Sequence, residues 1–125
     1  MSGLVLDAGG LIALERDHRP ALLLIKRALQ DSHRVVVPAT ALAQAARDLS
    51  RQVRLARLLR HSACVVAPLD RTSALAVGRL LAASGTSDVV DAHVVTVARA
   101  LGLSCLTSDA ADLRRLDPEL RFVEV

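Results

Sequence analysis

Five aspartates of this chain fall in three short segments far apart in sequence, each where an apolar run gives way to a helix-like pattern. Asp7 closes LVLD, Asp88 and Asp91 sit in TSDVVDAHVVTVARA, and Asp109 and Asp112 sit in LTSDAADL. Buried strands of an α/β fold end side by side, so carboxylates distant in sequence can converge at one edge of the sheet. Gathering that much negative charge in a partly buried cleft is costly unless a cation shares it. Hard divalent ions such as Mg²⁺ and Mn²⁺ prefer carboxylate oxygens and keep several waters. Such an ion can hold a phosphate, lower the pKa of a bound water for in-line attack, and neutralise charge on the leaving oxygen.

Each acid also has a plainer explanation. Asp7, at a strand-to-turn junction, can cap the helix that follows. Asp88 and Asp91 are three apart and share one face of a first helical turn, where either can cap the helix or complement its dipole. Asp91 resists that explanation, because Ala, His, Val, Val and Thr follow it in an otherwise apolar helix. A carboxylate at the start of a buried helix wants a metal or an Arg. Asp109 and Asp112 repeat the three-residue spacing, and for Asp112 the role of a plain helix acid is the better account. Thr107 and Ser108 offer hydroxyls that can orient a carboxylate, a water or a phosphate, and capping explains them nearly as well. His93 points off the face of Asp91 and reads as a packed histidine. His18, His33 and His61 carry no metal spacing, and neither GxGxxG nor GKS/GKT occurs.

The elements that must position these acids follow from pattern. Gly3 to Asp7 reads as a first, central strand, uniformly apolar as a strand covered on both faces should be. Ala8-Gly9-Gly10 allows a sharp turn into the short helix of LIALERD. Pro20 suits the first turn of PALLLIKRALQD, whose Leu22, Ile25 and Leu29 give an apolar face. Arg34 to Val37 is a second strand, stopped by Pro38. Thr40 is expected to cap ALAQAARDL, and Ser50 to cap RQVRLARLLRHS, where Arg51, Arg54, Arg57 and Arg60 flank an apolar side. Cys64 to Ala67 is a strand, and Asp70 opens a helix running to Ala83. Thr86 or Ser87 is expected to cap the helix from Asp88 to Leu101, which Gly102 ends. Leu103 to Thr107 is a strand, Asp109 to Leu116 a short helix, and Arg121 to Val125 a last strand. This alternation predicts a parallel or mainly parallel sheet with helices on both faces, in one domain over residues 1–125.

Composition narrows the chemistry further. Apolar residues make up 52% of the 125-residue chain but aromatics only 1%, so the core must be Leu, Val and Ala. A stacking platform for single-stranded bases, which needs aromatics, is excluded. The net charge of +3 comes from 16 Lys plus Arg against 13 Asp plus Glu. With five of those acids in one cleft, the remaining surface is more basic than the sum, which suits a polyanion. Cys64 and Cys105 lie in apolar runs and are expected as buried free thiols. The N-terminal segment reaches an acid within seven residues, unlike a signal peptide, and no long uncharged apolar run follows. The expectation is a soluble cytoplasmic protein with no membrane association.

The sequence resembles a PIN domain, specifically the toxin nuclease of a VapBC-type toxin–antitoxin pair. LVLDAGGLIAL with Asp7, VVVPATALAQAARD after the second strand, DVVDAHVVTVARALG with Asp91, and CLTSDAADL with Asp109 carry the likeness, in order and over essentially the whole chain. The resemblance implies a PIN-like three-layer α/β sandwich with a central, mainly parallel five-stranded sheet flanked by helices. It further implies an Mg²⁺- or Mn²⁺-dependent endoribonuclease acting as a growth-inhibiting toxin, homodimeric and neutralised by a cognate VapB-like antitoxin. On that model Asp7 and Asp91 are catalytic as the principal metal ligands, and Asp109 completes the site or binds a second metal. Asp88 and Asp112 are auxiliary, and the helices after Pro20 and Ser50 carry the apolar stripes that antitoxin contacts would need.

One departure stands out. PIN domains usually place a glutamate in the helix after the second strand, and the matching residue here is Gln44. Its carbonyl oxygen could still hold a metal water, with Asp88 or Asp48 replacing the missing charge and Arg47 contacting RNA phosphate or bracing the acids. Gln44 is also the main support for the alternative, a PIN-like metal-, RNA- or protein-binding module with weak or no turnover. Aspartyl-phosphate chemistry fits poorly. A haloacid-dehalogenase pattern wants an Asp where Gly9 stands, and a receiver domain wants a late Lys, whereas the only lysine is Lys26.

Overall fold

The chain's computed structural model describes residues 3–125. Its elements, in order, are β1 (Gly3–Leu6), α1 (Ala8–Glu15), α2 (Arg19–Gln30), β2 (Arg34–Pro38), α3 (Ala39–Ala45), α4 (Val53–Arg60), β3 (Cys64–Ala67), α5 (Arg71–Ser84), α6 (Val89–Leu101), β4 (Ser104–Thr107), α7 (Ala110–Leu116) and β5 (Phe122–Glu124). The strands form one sheet in the order β3-β2-β1-β4-β5, with every pairing parallel. The path steps outward from β1 through β2 to β3, then returns across the sheet to β4 and β5. Right-handed crossovers therefore place α1–α4 on one face and α5–α7 on the other. The reversal falls between β1 and β4, and beyond their carboxyl ends lies the crevice where ligands bind in open α/β sheets.

The apolar runs become central strands because both of their faces are covered. Val5, Leu6, Val35, Val36, Val37, Cys105 and Leu106 are buried. Six consecutive or near-consecutive residues of α6 are buried too, since this helix lies against β1, β2 and β4 with α5 packed over it. The β3 edge is different: Val65 and Val66 remain 47% and 41% exposed. Cys64 and Cys105 are free thiols. Among the described residues, no helix is long and apolar enough to cross a membrane.

Three expected caps are replaced, each because a stronger partner is available. Thr40 lies inside α3, whose cap position is Pro38, and its hydroxyl meets His93 Nδ1 at 2.8 Å. Ser50 does not cap α4 either; its hydroxyl donates to Asp48 Oδ1, and the helix starts after Gln52. The carboxamide of Gln52 closes the α3–α4 loop, accepting from the Arg47 and Asp48 amides and donating to the Ala45 carbonyl. That anchoring ends α3 at Ala45, short of the expected Leu49. Neither Thr86 nor Ser87 caps α6. Asp88 does, accepting the Asp91 amide at 3.0 Å, as befits a carboxylate at a helix N-terminus. Pro38 is the last residue of β2 rather than the stop before it, paired with Ala67 at a position that requires no further ladder donor.

Candidate active site

Asp7 follows β1 and caps α1. Its Oδ1 accepts the Gly10 amide at 2.7 Å, and its Oδ2 accepts the Thr107 hydroxyl at 2.5 Å. The glycines make this closeness possible. A Cβ on Gly10 would sit 2.7 Å from the Leu106 carbonyl oxygen, and one on Gly9 would strike the Ser108 hydroxyl. Only a side-chain-free turn lets α1 begin against β4 with its amides aimed at Asp7. The carboxylate is 8% exposed, and burial pushes its pKa up. The Thr107 and Gly10 hydrogen bonds oppose that rise, and the nearby charge of Asp109 adds to it.

Asp91 sits in the first turn of α6, half-buried. Its pKa is pushed up to about 6, first by burial and then by the negative charges of Asp88, Asp112 and Asp7. The two acids nearest the switch point thus repel each other and lie within reach of three more. Asp88, Asp91 and Asp112 line one cleft of about 310 Å³ together with Thr86, Ser87 and Arg115. A pair of partly desolvated carboxylates without a countercharge between them is an arrangement that a cation would relieve.

The PIN domain family model matches residues 4–118. This chain belongs to the PIN domain family. Solved structures with a similar fold include VapBC2 from Rickettsia felis, bound to a DNA fragment from its promoter, at TM-score 0.73 and 14% identity over 99% of both chains. DNA-bound VapBC from Salmonella typhimurium aligns at TM-score 0.69 and 21% identity, covering 99% of this chain and 98% of that one. VapBC-5 from Mycobacterium tuberculosis, a member of the VapBC family of toxin–antitoxin systems, is 26% identical over the whole of both chains at TM-score 0.59. No curated protein sequence matches.

The remaining acids of this PIN domain form a rim. Asp109 is exposed; its carboxylate caps α7 by accepting the Ala111 amide, and its own amide donates to Thr107 Oγ1 at 3.0 Å. Asp112 is also exposed and pairs with Arg115 at 3.3 Å. Ser108 is exposed beside Gly9. Gln44 is exposed on α3, and its carbonyl accepts from Arg47 Nε at 3.1 Å. Arg47 is therefore turned onto its own helix, and Asp48 is engaged by Ser50 and by Arg51 at 3.7 Å. His93 is fully buried against Thr40, with its pKa pushed down by burial, as a packed histidine should be.

Two positions with no local signal complete the scaffold. Glu15, at the end of α1, accepts the Leu55 amide at 2.9 Å and so caps α4 from 40 residues away. Gln52 pins the loop that follows α3.

The donor set is all oxygen, which suits Mg²⁺ or Mn²⁺ rather than a softer ion. No three His, Cys, Asp or Glu side chains among the described residues stand close enough to cage an ion by themselves. An ion held by Asp7 and Asp91 would keep most of its coordination for water and substrate, as Mg²⁺ commonly does.

Proposed function

We propose that this PIN domain is a metal-dependent endoribonuclease of the VapC type, a growth-inhibiting toxin that hydrolyses phosphodiesters of RNA in the cytoplasm. The observation that carries the reading is the mutual crowding of Asp7 and Asp91 at the switch point of the sheet, each with its pKa raised. Asp7 and Asp91 would hold an Mg²⁺ or Mn²⁺ ion, with Asp109 completing the site or serving a second ion. The ion supplies Lewis acidity toward the phosphate and an activated water.

The chain's own groups supply the orientation. Thr107 and the Gly10 amide fix the plane of the Asp7 carboxylate, leaving a second lone-pair position on each oxygen. Asp91 is set by the first turn of α6, itself capped by Asp88. The exposed Ser108 hydroxyl and the exposed carboxylates of Asp109 and Asp112 keep the mouth of the site polar and open to a polyanion carrying its own counterions. The basic balance of the remaining surface supports attraction of RNA. The VapBC structures with the same fold support a VapB-like antitoxin as partner and a homodimer as the working form.

The test is cleavage of a structured RNA pool by the purified chain, freed of any partner, with Mn²⁺, with Mg²⁺ and with chelator. Metal-dependent cutting is expected, and Asp91→Asn should lower it by at least about 100-fold, the size of loss typical for a group acting in the transition state. Unchanged cutting in Asp91→Asn and Asp7→Asn would overturn the site. Gln44 favours a second reading, a binding module with little turnover, because it leaves α3 without the acid that the family usually places there. Metal binding by folded protein with no cutting of any RNA would select that reading.

A further inference from the structure

Helices α2 and α4 each turn one face toward a shared groove on the side of the sheet opposite α6, with α1 as its floor. On α2 that face is Leu22, Ile25, Lys26 and Leu29; on α4 it is Arg54, Arg57, Leu58 and His61. Both follow the i, i+3, i+4, i+7 spacing of a single helical stripe. The groove encloses about 320 Å³. Its floor is apolar, since Leu14, Ile25 and Leu58 are buried while Leu22 and Leu29 are partly open. Its rim is cationic. Lys26 and Arg57 are exposed and have no acid within ion-pair distance among the described residues, and the only lining acid, Asp17, is already engaged by Arg54 at 3.5 Å.

We infer that this groove docks an acidic amphipathic peptide segment of a partner protein, leucine-like side chains entering between α2 and α4 and Asp or Glu residues meeting Lys26 and Arg57. In giving the neutralising partner its chemistry, the inference rests on the toxin–antitoxin reading above. Charge complementarity identifies the occupant: an apolar trough with unpaired cations along its edges fits an acidic helix and repels a basic one. RNA would meet the same cations but has nothing to place on a leucine floor. The only aromatic side chain, Phe122, lies elsewhere, under Arg114 on β5. The twelve residues of α2 span about 18 Å, enough for about three turns of a docked helix.

The groove also leads toward the acids. Asp17 lines it and lines the neighbouring cleft that runs past Arg16 and Ile12 to Gly9 and Ser108. A segment seated between α2 and α4 and continuing past the Asp17–Arg54 pair reaches the rim of the Asp7 site, where it would block substrate.

The experiment is selection from a displayed library of random peptides long enough to span the groove, against the metal-free Asp91→Asn chain. Using this form keeps the outcome independent of whether the protein cuts RNA. Enriched peptides are expected to carry apolar residues at helical spacing flanked by Asp or Glu, and to slow amide exchange in α2 and α4 of the otherwise unsubstituted chain. The added changes Lys26→Glu and Arg57→Glu, both at exposed positions, should weaken them at least about 10-fold, while versions with Lys in place of their acids should bind the double variant better than the parent. Absence of any enriched sequence, enrichment of sequences without acids, or equal binding to the double variant would overturn the inference. Protection of α2 and α4 by single-stranded RNA but by no peptide would also overturn it and assign the face to substrate.

Discussion

Thr107 donates its hydroxyl to Asp7 Oδ2 at 2.5 Å while accepting the Asp109 amide at 3.0 Å, so one side chain ties the acid at the end of β1 to the acid after β4. Thr107→Val keeps the shape and removes the donor, leaving a buried carboxylate oxygen short of a partner. The metal-free fold should lose about 1–3 kcal/mol at neutral pH, read by denaturant titration with chelator present. Thr107→Ser should retain most of that stability, and a Val variant as stable as the parent would show that the hydroxyl contributes nothing to holding Asp7.

The acids give the metal-free protein an inverted pH profile. Asp91 titrates at about 6 in the folded chain against 3.8 when unperturbed, and Asp7 is raised as well. Folded protein therefore binds more protons than unfolded protein between those values, and stability falls as pH rises through that window. With chelator, thermal unfolding should occur at a higher temperature near pH 5 than at pH 7. Saturating Mn²⁺ should abolish or reverse the difference, since an ion favours the charged carboxylates. A melting temperature that climbs from pH 5 to pH 7 without metal would contradict the crowding of Asp7 and Asp91.

Two glycines should respond oppositely to alanine. Gly10→Ala drives a Cβ to 2.7 Å from the Leu106 carbonyl oxygen, so α1 must move away from β4 and take the Asp7 amide partner with it. A loss of about 1–3 kcal/mol is expected, in the range of overpacked sites, together with weaker metal binding. Gly78 lies inside α5 with nothing within 4 Å of its would-be Cβ, and Gly78→Ala should add about 0.5–1 kcal/mol. The pair can be compared by chemical denaturation, with Mn²⁺ titration as the second readout for Gly10→Ala.

Gln44→Glu tests whether α3 contributes to the same cleft. The side chain is exposed, so stability should change by no more than about 0.5 kcal/mol. Mn²⁺ affinity, measured calorimetrically, should rise several-fold as a further carboxylate joins the donor set. An unchanged affinity would place position 44 outside the metal's reach.

The parallel sheet was legible because strands covered on both faces must be continuously apolar, as LVL, VVV and SCL are. Asp91 was legible because nothing in an apolar helix requires it, and its neighbours Asp88 and Asp112 do press on it. The helix starts were less legible, because distant groups decide them. Thr40 looks like a cap until His93, 53 residues away, takes its hydroxyl. The end of α3 is set by the Gln52 carboxamide, and the start of α4 by Glu15. No window of neighbouring residues contains these partners, so pattern reading assigns the caps to the nearest Ser or Thr.

Strand order also imposes a timetable on synthesis. β1 is the first strand made, yet one of its two neighbours in the sheet is β4, and Asp7 meets Thr107 only after 100 further residues have been added. At translation rates of about 5–20 residues per second, that delay is about 5–20 seconds. Every side chain of the α2–α4 groove has been synthesised by residue 61, well before β4 can close the acidic cluster. A ribosome making this chain thus delivers the surface proposed for restraint before it delivers the means of cutting, and a partner already at hand could engage the nascent chain during that interval.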